Sequence, residues 1–266
     1  MPEIQLPAIR LYYEERGTGA PILLSHGTGS DADTWGSAFE ELARLGRIIA
    51  YDRRGFTRSE RPEPYLRTTP AEHAGDAAAL LDGLGATPAI VIGRSYGGDM
   101  ALNLALRYPR HVRALVLLEG GDVFLSEALP ELSDFLDQLT ARIRTAVAER
   151  GMAAAGEALM RAVLGDDGYE GVPEDRKARV TANGPAIVAE IEGYRDDLPD
   201  PTRLRAITCP ALVVAAMSSP PPFRDAMEIL AATLPNARLA VVEGGHMINP
   251  ADPQVVNFIQ EVVVGA

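Results

Sequence analysis

Six short apolar runs, each the length of a buried strand, recur along the chain at Pro21–Leu24, Arg47–Tyr51, Ala89–Ile92, Ala114–Leu118, Ala211–Ala216 and Arg238–Val242. Segments of helical length alternate with them: Asp33–Arg44, Thr69–Leu84, Gly98–Tyr108, Pro222–Thr233 and, last, Pro253–Val263. A strand followed by a helix, over and over, folds with right-handed crossovers into a mostly parallel sheet carrying helices on both faces. Ahead of this series, Ile9–Glu14 followed by Gly17-Thr18-Gly19 reads as a first antiparallel hairpin strand.

One interval breaks the rhythm. About eighty residues separate the strand ending at Leu118 from the one starting near Ala211, and none of them reads as a strand. Instead Ser126–Arg150, Ala153–Val163, Pro173–Ala182 and Pro185–Tyr194 are rich in Ala, Leu, Glu and Arg and are punctuated by Gly151, Gly165, Gly168, Gly171 and Pro173. That pattern predicts helices joined by loops. The expected division is a core domain from 1–122 and 206–266, with a helical cap inserted over 123–205 and Asp196–Pro201 as its return linker. A chain of 266 residues is long enough to bury such a core and carry the insertion.

The rest of the composition narrows the chemistry. A net charge of −12 repels a polyphosphate backbone, so nucleic acid is not an expected partner. No apolar stretch approaches the roughly 18 residues of a membrane span, and the first residues lack a basic flank and long apolar segment, which makes a cytoplasmic protein the expectation. Cys209 is the single cysteine, so no disulfide framework is possible. No His, Cys and Asp cluster has metal-ligand spacing, and no cofactor is expected.

The chemistry concentrates at Gly93-Arg94-Ser95-Tyr96-Gly97-Gly98, between the strand Ala89–Ile92 and a helix-forming run. A serine on so tight a strand-to-helix turn is held in a strained backbone conformation, with its hydroxyl exposed at the sheet's C-terminal edge. At this point the chain resembles the α/β-hydrolase fold superfamily. His26-Gly27-Thr28-Gly29 follows the strand Pro21–Leu24, Asp52-Arg53-Arg54-Gly55-Phe56-Thr57-Arg58-Ser59 is similar to that family's Asp-x-x-Gly-x-x-x-Ser turn, and Gly244-Gly245-His246 follows the last strand. Four landmarks fall in order over nearly the whole chain. The resemblance implies a mostly parallel eight-stranded sheet flanked by helices with an inserted cap, and a catalytic triad needing no cofactor.

Ser95 needs a base, and of the four histidines only His246 lies on a loop leaving a strand's C-terminal edge. His26 belongs to the oxyanion turn, His73 to a polar helix and His111 to a surface loop. The third member departs from the family's commonest pattern. The loop after Ala216 reads Met217-Ser218-Ser219-Pro220-Pro221-Pro222-Phe223-Arg224 and holds no carboxylate. Glu119, which ends the strand Ala114–Leu118, is the expected acid, with Asp122 second and Asp225 third. Some members of the superfamily, including certain haloalkane dehalogenases and fungal zearalenone lactone hydrolases, place the acid at this strand end. The oxyanion donors implied are the backbone N–H of Tyr96 and that of Thr28, with Gly27 as the alternative.

The expected function is hydrolysis of an ester or lactone of a small, largely apolar molecule by an acyl-enzyme route; a serine at 95 disfavours the superfamily's aspartate-based chemistries. A carbon–carbon bond hydrolase or a cofactor-free haloperoxidase-like enzyme uses the same residues, and a non-hydrolytic receptor or cyclase keeps the same fold. Asp52, Arg53 and Arg54 read as surface ion pairs, Trp35 as a pocket wall or core residue, Met152 and Met160 as cap core and Cys209 as a buried small residue.

Overall fold

The computed structural model describes residues 2–126, 128–196 and 200–265. Eight strands form one sheet: β1 (Glu3–Gln5), β2 (Arg10–Arg16), β3 (Pro21–Ser25), β4 (Arg47–Tyr51), β5 (Ala89–Arg94), β6 (Val112–Leu118), β7 (Ala211–Ala216) and β8 (Ala237–Val242). Their order is β1-β2-β4-β3-β5-β6-β7-β8, antiparallel at β1–β2 and β2–β4 and parallel elsewhere. The helices are α1 (Ser37–Leu42), α2 (Pro70–Gly83), α3 (Tyr96–Arg107), α4 (Pro130–Arg150), α5 (Ala154–Glu170), α6 (Glu174–Ala182), α7 (Gly184–Gly193), α8 (Pro221–Thr233) and α9 (Pro253–Val264).

The strands are apolar at nearly every position because both faces of the sheet are covered. Leu23, Ile49, Val91, Leu115 and Val213 point to the face packed by α2, α3 and α8, and their neighbours Ile22, Ile48, Ile90, Val116 and Val214 to the face packed by α1 and α9. Helix α2 starts where Thr69 and Glu72 each hydrogen-bond the other's backbone N–H and Pro70 occupies the first turn. Helices α4 to α7 all lie between β6 and β7, with no strand among the described residues of that interval. They share a small core of their own, built from Leu139, Ile143, Leu159, Val180 and Ile187 and closed from the main body by Phe56.

Four details differ from the sequence expectation. Strand β1 was not foreseen, since three residues with exposed neighbours carry almost no periodic signal. Strand β2 does turn antiparallel, but onto β1 across Leu6–Ile9 and onto β4; the Gly17–Gly19 turn leads to β3, which β4 separates from β2. The segment 33–44 divides at Gly36, whose positive φ of 49° separates a short 3-10 turn over Ala32–Trp35 from α1. The helical stretch expected to end at Val163 breaks close by, at Gly165 (φ 73°, ψ 171°), but a second helical stretch that was not foreseen follows it within α5 to Glu170. Of the return linker, residues 197–199 lie outside the described set, as does residue 127 at the cap's other end.

Candidate active site

Ser95 stands alone between the end of β5 and the start of α3, with φ 52° and ψ −131°. A left-handed conformation at a residue with a side chain costs of order 1–3 kcal/mol, and here the surroundings enforce it. The turn is so tight that a Cβ on Gly93 would lie 2.3 Å from the Gly97 carbonyl oxygen, and one on Gly97 would lie 2.2 Å from that of Ser25. Only glycine allows strand and helix to meet this closely. The Ser95 N–H donates to Leu118 O at 3.2 Å and its carbonyl accepts from Gly98 N–H at 2.7 Å, while its side chain borders a cavity beneath α4 to α7.

Glu119 leaves the end of β6 with φ 42°, the second strained non-glycine residue at this sheet edge. Its carboxylate is fully buried and takes three hydrogen bonds: Ala216 N–H donates to Oε1 at 2.7 Å, Ser219 Oγ donates to Oε2 at 2.6 Å, and His246 Nδ1 lies 2.9 Å from Oε2. A carboxylate only accepts, so Nδ1 carries the imidazole proton and Nε2 keeps a free lone pair. His246 is buried on the loop after β8, with the Phe223 ring 4.9 Å from its own, and it borders the same cavity as Ser95. The other two candidate acids are elsewhere. Asp225 is exposed on α8. Asp122 is buried and borders the cavity, but burial pushes its carboxyl up to about 6, with Glu119 adding to the rise against His246 and its own backbone N–H. Asp99 beside it is pushed well above the carboxylate range by burial and by Asp122.

Tyr96 is the first residue of α3, where a backbone N–H has no acceptor within its own helix. The loop Gly27-Thr28 faces it across Ser95: a Cβ on Gly27 would come within 3.1 Å of Ser95 Cβ. That loop is anchored from below by His26, which is wholly buried, with Nδ1 2.8 Å from Gly27 O and Nε2 accepting from Arg53 N–H at 3.0 Å. Burial and the Arg53 charge hold His26 neutral, as an accepting Nε2 requires. From above, Asn183 at the head of α7 donates to Gly29 O at 3.2 Å and accepts from Thr57 N–H at 2.9 Å.

Several side chains lie differently from the sequence reading. Asp52 and Arg53 are not surface ion pairs. Asp52 is fully buried and receives the Ala32 and Arg58 N–H groups and the Arg58 guanidinium, while fully buried Arg53 pairs with Glu190 of α7. Burial works against the Arg53 charge, yet the attraction of Glu190 outweighs it and the guanidinium holds its proton more tightly than usual. His73 and His111 are both buried, His73 with Nε2 3.1 Å from Glu190 and His111 with Nε2 3.0 Å from Asp82. Of the remaining readings, Trp35 lies in the core under α1 and Met160 in the core of α4 to α7 as expected, the latter also bordering the cavity, whereas Met152 is exposed and Cys209 is only half-buried, its thiol pushed up to about 11 by burial. Sequence reasoning passed over Ser219, Phe223, Arg94, Arg176, Asp99 and Glu190, all of which border the cavity or touch the Glu119–His246 pair. Arg94, inside the serine motif, was the one that could have been questioned. Among the described residues no group of three His, Cys, Asp or Glu side chains could hold a metal ion, and no helix is long and apolar enough to cross a membrane.

Known proteins resemble this chain over most of its length. A putative carbamate hydrolase, RutD, of Azorhizobium caulinodans is 32% identical over 262 residues, covering 93% of this chain and 92% of its own. A 2-hydroxymuconate semialdehyde hydrolase of Pseudomonas sp. is 38% identical over 126 residues, 46% of this chain and 44% of its own. Among solved structures, a thermophilic esterase from Thermogutta terrifontis with malate bound superposes with a TM-score of 0.78 at 26% identity, over 100% of this chain and 99% of that one. The family model described as alpha/beta hydrolase fold matches residues 20–253, and with that match this hydrolase belongs to the alpha/beta hydrolase fold family.

Proposed function

We propose that the protein is a serine hydrolase acting on a carboxylic ester or lactone of a small molecule with an apolar body. The observation that carries this reading is the Glu119–His246 hydrogen bond, which engages Nδ1 and leaves Nε2 for the reaction on a histidine that lines the same cavity as Ser95. In the reaction His246 Nε2 takes the Ser95 Oγ proton as the oxygen attacks the acyl carbon, and the negative charge gathering on the acyl oxygen is held by the Tyr96 and Thr28 N–H groups. Glu119 stabilises the imidazolium without accepting its proton. Collapse expels the alkoxide, which leaves with the proton from His246; in a lactone it stays tethered to the acyl group. Water then repeats the sequence on the acyl-enzyme, His246 again serving as base, and releases the acid and free Ser95. Leu136, Leu139, Leu159, Val163 and Phe135 supply the apolar wall, and the insertion over 123–205 serves as the lid that shapes it.

The test combines labelling and turnover. A fluorophosphonate should add to Ser95, seen by intact mass, and Ser95→Ala should abolish labelling and lower p-nitrophenyl ester turnover by ~10⁴ or more, the order lost when a triad nucleophile is removed. An inert Ser95 would sink the reading in favour of a receptor. A second reading, carbon–carbon bond hydrolysis, draws on the semialdehyde hydrolase relative, and turnover of 2-hydroxymuconate semialdehyde exceeding that of every ester tried would select it.

A further inference from the structure

The wall of the cavity is apolar over most of its extent, and the guanidiniums of Arg94 and Arg176 are among the groups that interrupt it. Arg94, the last residue of β5, is only 4% exposed. Its Nη2 donates to Ile248 O at 2.6 Å and its carbon lies 4.6 Å over the Trp35 ring, but its Nε has no acceptor. Arg176 projects from α6, half-buried, and its hydrogen bond is to Met247 Sδ at 3.6 Å, a weak acceptor. Among the described residues neither is in an ion pair. Arg179, three residues on, shows the contrast: Asp31, Asp33 and Asp175 all lie within 3.9 Å of it.

An unpaired buried charge is costly, and two of one sign facing each other are costlier. Their proton affinities follow: burial, and then the Arg176 charge, hold the Arg94 guanidinium down at about 9, and burial and then Arg179 lower that of Arg176 against the weaker attraction of Asp31 and Asp175. A free anion between the two would supply the missing acceptors. Of the acids that border the cavity, Glu190 is paired with Arg53 and burial raises the carboxyls of Asp99 and Asp122, so none of them neutralises the two guanidiniums, and a planar carboxylate matches the guanidinium fork.

We propose that Arg94 and Arg176 form a carboxylate-binding subsite, so that the substrate is an ester or lactone carrying a free carboxylate at one end of an apolar body. The inference deepens the hydrolase reading and, for the substrate it names, rests on it. It is tested with p-nitrophenyl hydrogen adipate against p-nitrophenyl heptanoate, which differ in the carboxylate. The native protein should favour the adipate ester in kcat/KM by ~10-fold or more, and Arg176→Gln should erase most of that preference through KM, while Arg176→Lys restores part of it with a point charge. Arg176 is the position to change, since its loss leaves no buried acid unpaired; circular dichroism checks the fold. In parallel, adipate itself should bind the Ser95→Ala protein by calorimetry and fail to bind the Ser95→Ala/Arg176→Gln protein. If Ser95 labels with fluorophosphonate but the two esters are turned over alike, or Arg176→Gln leaves their ratio unchanged, the subsite is overturned and the hydrolase reading stands. If Ser95 does not label, the hydrolase reading falls, and adipate binding with its dependence on Arg176 decides the subsite alone. Adipate that binds equally well without Arg176 overturns it.

Discussion

The ends of β6 and β7 are neighbours at the same sheet edge, yet they are built for opposite jobs. The end of β6 carries Glu119 in a strained left-handed conformation, followed by Gly120 and Gly121 and then Asp122. The end of β7 is regular, without a carboxylate, and offers donors: Ala216 N–H and Ser219 Oγ both point at Glu119. A buried carboxylate needs several donors before its charge is tolerable, and one strand end cannot furnish both the acid and its donors. The acid sits on one strand, and the loop of the next strand, freed of that task, solvates it.

Four measurements would break or sharpen this contrast. The largest effect should follow Glu119→Gln. An amide in place of the acid offers His246 the wrong partner for its Nδ1 proton and should cut ester turnover by ~10⁴, as for the corresponding change in a Ser–His–acid triad. Turnover within tenfold of the native protein would remove Glu119 from the reaction. Next comes Asp122, whose carboxyl burial pushes up to about 6, so that the folded protein keeps it protonated to a higher pH than the unfolded chain does. Below about pH 4 it is neutral folded and unfolded; between about 4 and 6 only the unfolded chain releases its proton, so stability should fall as pH rises through that window and level off above it. The drop should be about 3 kcal/mol in denaturant titrations, and Asp122→Asn should flatten that part of the slope. An unchanged slope would mean that Asp122 is ionised in the fold.

A smaller effect comes from moving the acid. Ser219 Oγ lies 2.6 Å from the carboxylate oxygen that His246 uses, so Ser219→Asp in the Glu119→Gln background should recover ~10-fold of the lost turnover by returning a charge to that point. No recovery would show that the donors, and not the carboxylate alone, are specific to β6. The smallest is Asp225→Asn on the exposed face of α8, which should alter kcat/KM by less than about twofold, as surface changes do. A large loss there would mean that α8 moves its acid into the site during turnover.

How much of this was legible depended on range. The six apolar runs are local signals, and each corresponds to a strand; so are the Thr69–Glu72 cap and the glycines around Ser95. Glu119 could be found because a carboxylate at a strand end is also local, and its neighbour relation to Ser95 follows from a single crossover helix. The residues that escaped are defined by partners far along the chain: Ser219 lies 100 residues from Glu119, and Glu190 lies 137 from Arg53. Charged residues in a motif turn read as surface for the same reason. Nothing within a few residues of Arg53 reveals that helix α7 will bury it, and nothing near Arg94 reveals that no acid among the described residues pairs with it.

The Arg53–Glu190 pair also bears on how such a scaffold can be re-engineered. It is wholly buried and, with the Asn183 amide on Thr57 and Gly29, it ties α7 to the loop around Gly27 and Thr28. Replacing only one member of a buried pair leaves a stranded charge, at about 3–5 kcal/mol. The segment between β6 and β7 is therefore not freely interchangeable: a replacement for α4 to α7 must bring a carboxylate to Arg53 and an amide to Thr57, or its recipient must lose that arginine too. Substrate preference should accordingly be easier to change through α4 and α5, which among the described residues carry no ion pair into the core, than through α6, tied by Arg179 to Asp31, or α7.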